Sequence, residues 1–269
     1  MRSEGIMNHQ TRYLFINSTL AFVAAFLVTT LVHELGHFIA YFLLDMHPTL
    51  YHNQVVVSDG NALSTPARIF GKSAGMLLCL LQGGALFFFL NKNKKNNAFN
   101  LFLLWSGLLG FVNFFGYWMI VPFTEVGDSG AIARLLHIPL WAQYLIALAA
   151  LDGLFFIVRK MGTVFNRFLP ATSEKRMRHK MANAILLYPL VLGSLINVLL
   201  ALPAPAAISL IYPATSSFVL MIAYRHIVEA QPPLTKTSSC VADRLSPILI
   251  VLALVFVLIN RVLVNGWKI

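Results

Sequence analysis

The chain has 269 residues, 58% of them hydrophobic and 11% charged, with a mean hydropathy of +0.74. That balance excludes a soluble globular domain and points to a polytopic membrane protein lying in a lipid bilayer. The formal charge of +10 does not signal nucleic acid, because the basic residues sit in short loops between apolar runs, where they act as membrane-topology signals.

Two cysteines, Cys79 in an apolar run and Cys240 in a polar loop, give no disulfide framework. Residues 1 to 12 are polar, with Arg2 and Arg12, and lead into an apolar run from Leu14 to Leu44. The run is too long for an export signal and has no small-residue cleavage site at its end, so it reads as a retained transmembrane helix. At about 1.5 Å per residue it exceeds a hydrocarbon core of about 30 Å, so it tilts or projects.

Past the midpoint of this run lies His33-Glu34-Leu35-Gly36-His37. Positions i and i+4 of a helix share a face, so His33 and His37 can direct two ring nitrogens at one ion, and zinc is the ion this pattern suits. Glu34, one residue round, can take a proton from water as a general base. A shuffled chain of this composition produces the pattern with a probability of about half a per cent. Three ionisable groups within five residues of an apolar span are costly without a partner such as a metal.

Residues 45 to 67 are mixed and polar. The alternating Tyr51-His52-Asn53-Gln54-Val55-Val56-Val57, ending in Ser58-Asp59-Gly60-Asn61, predicts a short β-hairpin after the first helix. Its edge, at Val55 and Val56, is a candidate for binding an extended substrate. The second span, Ile69 to Leu90, carries Gly71 and Gly75 at a spacing that lets helices approach closely, followed by Gly83 and Gly84. The third, Ala98 to Val121, contains Asn113 and breaks at Pro122 into a Gly-flanked segment with Glu125 and Asp128. Four more spans are expected at Ile138 to Val158, Ala182 to Leu202, Ala206 to Tyr224 and Pro247 to Val264, with Pro203-Ala204-Pro205 as a tight turn. Asn197 is expected to make an interhelical hydrogen bond.

The fold expected is thus all-α and polytopic, with about seven transmembrane helices and one hairpin. Residues 1–136 are expected to form a catalytic three-helix core and 137–269 a supporting bundle. The N-terminus and the loops after the second, fourth and sixth spans hold about 15 Lys and Arg against about 4 on the opposite side, which places the N-terminus in the cytoplasm.

A hydrolytic zinc site takes three protein ligands and keeps one position open. Asp45 lies about 12 Å along the helix from His37, and Ala40 and Leu43 exclude the long metzincin pattern. The remaining candidates for the third ligand are His47, His52, Glu125, Asp128, His137 and Asp152.

These stretches resemble the site-2-protease-like intramembrane metallopeptidases. The likeness rests on His33 to His37, on Ser73-Ala74-Gly75-Met76 opening the next span like the family's Ala-Gly-Pro segment, and on Asn113, Pro122 and Gly127-Asp128-Ser129-Gly130, like its Asn- and Pro-containing approach to an Asp-Gly. Met76 replaces the family's proline, and Ser129 the glycine after the aspartate. The resemblance implies His33, His37 and Asp128 as zinc ligands and Glu34 as base; Asn113 is a further candidate, for contact with substrate. Asp128 also fits by topology, because two intervening spans return it to the face where the first helix ends. Asp152 lies about 36 Å further along if the fourth span is continuous, and is expected instead to pair with Arg159.

The activity expected is that of a zinc endopeptidase acting on transmembrane segments of protein substrates, set in a bacterial cell membrane. A zinc hydrolase of lipid amides or esters uses the same chemistry, and a transporter or scaffold could hold the metal without hydrolysis. An intact Glu34 favours catalysis, since a metal holder needs no base.

Overall fold

The computed structural model describes residues 2–58, 60–172, 174–204, 208–229 and 240–268. Asp59 of the expected hairpin turn, Pro205 of the expected Pro203-Ala204-Pro205 turn, and Ala206 and Ala207 at the expected start of the sixth span lie outside them. The first helix, α1, runs from Arg2 to Leu43 without a break. It is followed by strands β1 (Thr49–Leu50) and β2 (Val55–Val56), and then by α2 (Thr65–Lys92) and α3 (Ala98–Ile120). Pro66 occupies the first turn of α2, where a missing N–H is harmless, and the Asn97 side chain caps α3 by accepting from the Asn100 N–H at 2.8 Å.

A short α4 (Asp128–Leu135) precedes α5 (Leu140–Gly162). Next, α6 (Lys175–Ala182) and α7 (Ser194–Leu200) are joined through wider, π-helical turns into one rod, and α8 (Ile208–Thr215), α9 (Ile222–Glu229), α10 (Cys240–Asp243) and α11 (Pro247–Leu263) follow. Strand β3 (Trp267–Lys268) ends the described chain.

Five described helical stretches are long and apolar enough to cross a membrane: His9–Leu43, Thr65–Lys92, Ala98–Phe123, Leu140–Phe168 and Lys175–Leu200. They are compatible with a multi-pass membrane protein. Two of the seven expected spans do not reach that standard. The sixth is interrupted, with Pro213 inside α8 and a tight turn over Ser216–Met221. The seventh, α11, has 17 residues, about 26 Å of helix, just short of a hydrocarbon core of about 30 Å.

Helix α1 is the hub. It packs on α2, α3, α10, α11 and the α6–α7 rod, and one continuous core joins residues of both halves, from Leu14, Phe22 and Trp105 to Phe165, Ile185 and Leu249. Within lipid, polar side chains must find partners inside the bundle. Trp105 Nε1 donates to Ser18 Oγ at 3.0 Å, and Ser18 Oγ donates to the Ile185 carbonyl at 2.6 Å, linking α3, α1 and the rod. Gln82 Nε2 donates to Thr29 Oγ1 and to the Ser106 carbonyl, both at 2.9 Å, linking α2, α1 and α3. Asn17 Nδ2 donates to the carbonyls of Val241 and Arg244, each at 2.7 Å, and its Oδ1 accepts from the Ser246 N–H at 2.9 Å. Asn197 departs from expectation: it is buried, yet its side-chain amide meets no partner among the described residues.

The hairpin forms with a different turn from the one the sequence suggests. Thr49 pairs with Val56 and Leu50 with Val55, so the reversal falls at 51–54, inside the stretch expected to be strand. The reason lies in the side chains of the turn: His52 Nε2 and Asn53 Nδ2 both donate to the Ala201 carbonyl at 3.1 Å and pull this segment onto the end of α7. On its other edge β1 pairs with β3, Thr49 with Lys268 and Leu50 with Trp267, giving a three-stranded sheet in the order β2-β1-β3. Gly266, at φ 76°, turns the chain back into that pairing.

Close packing of α1 on α2 rests on glycine. A side chain at Gly36 would meet Ala74 O at 2.7 Å, and one at Gly75 would meet His37 Nε2 at 2.5 Å and His33 O at 2.7 Å. Gly83 does the same toward α3, where Phe111 lies 3.0 Å from the position a Cβ would take, whereas Gly84 faces open space. Gly75→Ala is therefore expected to separate α1 from α2 and lower the thermal unfolding temperature in detergent. Gly84→Ala is expected to be neutral or to stabilise by about 0.5–1 kcal/mol through helix propensity. Equal behaviour of the two variants would refute this reading of the α1–α2 contact.

Candidate metal centre

The site is built from α1, α2, α3 and the first turn of α4. His33 and His37, one turn apart on α1, both turn Nε2 toward a common point, with 3.0 Å between the two nitrogens. Asp128 Oδ2 lies 3.2 Å from His33 Nε2 and 3.1 Å from His37 Nε2. All three residues are buried. His37 is six residues from the last residue of α1, about 9 Å along the axis, so the site sits nearer one end of the helix than its middle.

Asp128 reaches this point because of the chain around it. Pro122 ends α3 in a short turn over Val121–Phe123, and Gly127, at φ 88°, reverses the backbone into α4. Ser129 Oγ then donates to the Tyr117 carbonyl at 2.6 Å, which ties α4 back onto α3. The carboxylate belongs to the first turn of α4, where the exposed N–H groups favour negative charge.

The outer shell determines which nitrogens face the centre. His33 Nδ1 donates to Asn113 Oδ1 at 2.9 Å, and His37 Nδ1 donates to the Gly71 carbonyl at 2.8 Å. With both Nδ1 positions holding the proton, both Nε2 atoms present lone pairs, and they present them to each other and to a carboxylate oxygen. Three electron-pair donors crowded together repel unless an electrophile joins them. A tetrahedral ion with bonds of about 2.0–2.1 Å holds its ligand atoms about 3.3–3.4 Å apart, and the separations here, 3.0 to 3.2 Å, come close to that. The buried group His33, His37 and Asp128 can hold a metal ion.

Glu34 is buried beside the pair and has no hydrogen-bond partner among the described residues. Tyr117 stacks flat on the His33 ring, with centroids 5.2 Å apart and planes 2° from parallel. Cys79 lies on the far side of His33, its Sγ 4.0 Å from Nδ1, turned away from the ligand atoms. Lys72 Nζ donates to Asp128 Oδ1 at 3.2 Å.

Of the third-ligand candidates, only Asp128 joins the histidines. His47, Glu125, His137 and Asp152 are exposed elsewhere, and no ion pair between Asp152 and Arg159 occurs among the described residues. His52 is spent on the Ala201 carbonyl, and burial holds its imidazole below its ordinary pKa. Asn113, anticipated as a substrate contact, is buried with its side-chain oxygen on His33. Val55, like Leu31 and Leu35, packs against the cluster of Phe38, Leu50 and Leu263, and Leu31, Leu35 and Phe38 form a stripe about 150° round α1 from His33 and His37; Val56 is exposed on the outer strand of the sheet. The structure does not bring these two valines to the metal ligands.

Sequence reasoning missed Lys72, Tyr117 and the Gly71 carbonyl. Lys72 carried a signal, being a charge inside an otherwise apolar span; the other two carried none.

Asp128→Ala is expected to abolish metal retention through purification, measured by elemental analysis, while Asp152→Asn retains it. Asn113→Ala should weaken metal affinity about 10- to 100-fold in a chelator competition, as loss of an outer-shell partner does. Full metal occupancy in Asp128→Ala would remove it from the ligand set. No protein-family model, no curated protein and no solved structure matches the chain.

Proposed function

We propose that the protein is a zinc-dependent intramembrane endopeptidase of the site-2-protease-like kind, acting on transmembrane segments of membrane-protein substrates. The observation that carries this reading is the convergence of two Nε2 lone pairs and one carboxylate oxygen, at separations close to tetrahedral edges, beside an uncommitted carboxylate within a membrane-spanning helix bundle.

Two imidazoles and one carboxylate form a ligand set suited to zinc and leave a fourth position for water or substrate. A zinc ion there would supply Lewis acidity, polarising a carbonyl oxygen and making water a nucleophile at neutral pH. The remaining chemistry belongs to the chain. Glu34 adjoins His33 in sequence and is held at the site by the same helix turn. With no competing hydrogen bond, its carboxylate is free to accept a proton from the attacking water and return it to the leaving amide nitrogen.

Asn113 and the Gly71 carbonyl keep the two imidazoles in the tautomer that directs Nε2 inward. The buried walls limit water to what reacts. A substrate helix must unwind before its carbonyls can be attacked, because in a helix they are already hydrogen-bonded.

The protein is expected to purify with about one zinc per chain. Glu34→Gln should keep the metal and lose about 10²- to 10⁴-fold in turnover. The measurement uses proteoliposomes containing model transmembrane peptides, with cleavage read by mass spectrometry. Full activity of a zinc-free preparation, or normal turnover by Glu34→Gln, would defeat the proposal. Products derived from lipid with peptides left intact would move it to amide or ester hydrolysis.

A further inference from the structure

The two oxygens of Asp128 have different partners. Oδ2 faces the two imidazoles of α1, while Oδ1 accepts from Lys72 Nζ of α2 at 3.2 Å. Lys72 follows Gly71, the residue whose carbonyl accepts from His37 Nδ1. One turn of α2 thus supports two ligands of the site at once, a histidine through its backbone and an aspartate through a side chain.

We propose that Lys72 is a positioning residue that holds Asp128 to single-oxygen ligation, so that one coordination position stays open. The inference rests on the metal-site reading above. A carboxylate with both oxygens free can close onto a metal through both, and the second oxygen then joins the two imidazoles, the first oxygen and the solvent donor as a fifth donor, crowding the position that hydrolysis requires. An ammonium on Oδ1 occupies the lone pair that such closure needs, and it strengthens the contact because both partners are charged.

The ordinary behaviour of a lysine near a helix end is to extend toward water over the apolar surface. Lys72 lies seven residues into α2, and its side chain keeps 41% of its exposure while the Asp128 side chain keeps 11%. Its ammonium nevertheless ends on the buried carboxylate. Among the described residues, Asp128 is its hydrogen-bond partner, so the contact cannot be a by-product of another interaction that holds the lysine there.

The test uses the full chain in detergent with cobalt(II) as the metal, read by visible absorption and by the first-shell coordination number from X-ray absorption. The native protein and Lys72→Arg are expected to show a four-coordinate site. Lys72→Met is expected to gain one first-shell oxygen and to lose absorption intensity, as a fifth donor joins. Lys72→Ala provides the same comparison if the methionine variant does not fold. An unchanged spectrum in the folded neutral variant, or an arginine variant that shifts as methionine does, would overturn the role of Lys72 and leave the zinc reading intact. Failure of the native protein to bind cobalt(II) at all would overturn both.

Discussion

Two imidazole lone pairs and a carboxylate oxygen share a volume with room for one small cation, and the rest of the structure is arranged around that convergence. Once the Nδ1 protons are committed to Asn113 and Gly71, all three inward-facing atoms are acceptors, and a shared proton or a cation must join them. Each ligand is positioned by a different physical device. The histidines follow from helix periodicity alone. Asp128 depends on a chain break at Pro122, a reversal at Gly127 and a hydroxyl bond from Ser129, and it arrives from 91 residues beyond His37. A site assembled this way holds its geometry only if the intervening helices cannot drift.

That rigidity comes from two sources with different energetics. Glycine contacts between α1 and α2 let backbones touch, so dispersion acts over many atoms at short range. Polar links through Ser18, Thr29, Gln82, Asn17 and Trp105 each contribute only about 0.6 kcal/mol on average, yet they fix register, because a slipped helix would leave their donors unpaired in lipid. Most of these links pass through α1. The helix that carries His33 and His37 is therefore also the one whose rotation and translation are most restricted.

The faces of α1 divide the work. The stripe with His33 and His37 turns to α2 and α4, while Leu31, Leu35 and Phe38 carry the hairpin on a nearly opposite side. Glu34 falls between the two. On the outside of the bundle, α5 exposes Leu145, Leu148 and Phe156, a surface suited to lipid tails.

By itself the sequence determined the long apolar helices, the helix bearing His33, Glu34 and His37, and the breaks at Pro122 and Gly127, because hydropathy, i,i+4 spacing and backbone restriction are local properties. The close-approach role of Gly71 and Gly75 was legible for the same reason, while Gly84, identical in sequence terms, faces open space. Local pattern could not decide among six candidates for the third ligand; topology and a family resemblance were needed to favour Asp128. Of the seven expected spans, five are long and apolar enough to cross a membrane among the described residues, because apolar content alone does not register the interruption at Pro213 or the end of α11 after 17 residues. Tertiary structure alone decided that the hairpin turns at 51–54, that the chain's far end adds a third strand, that Asn113 holds His33, and that Lys72 meets Asp128. Each of these depends on contacts between residues from 56 to more than 200 positions apart, and no periodicity within a segment encodes a partner that distant.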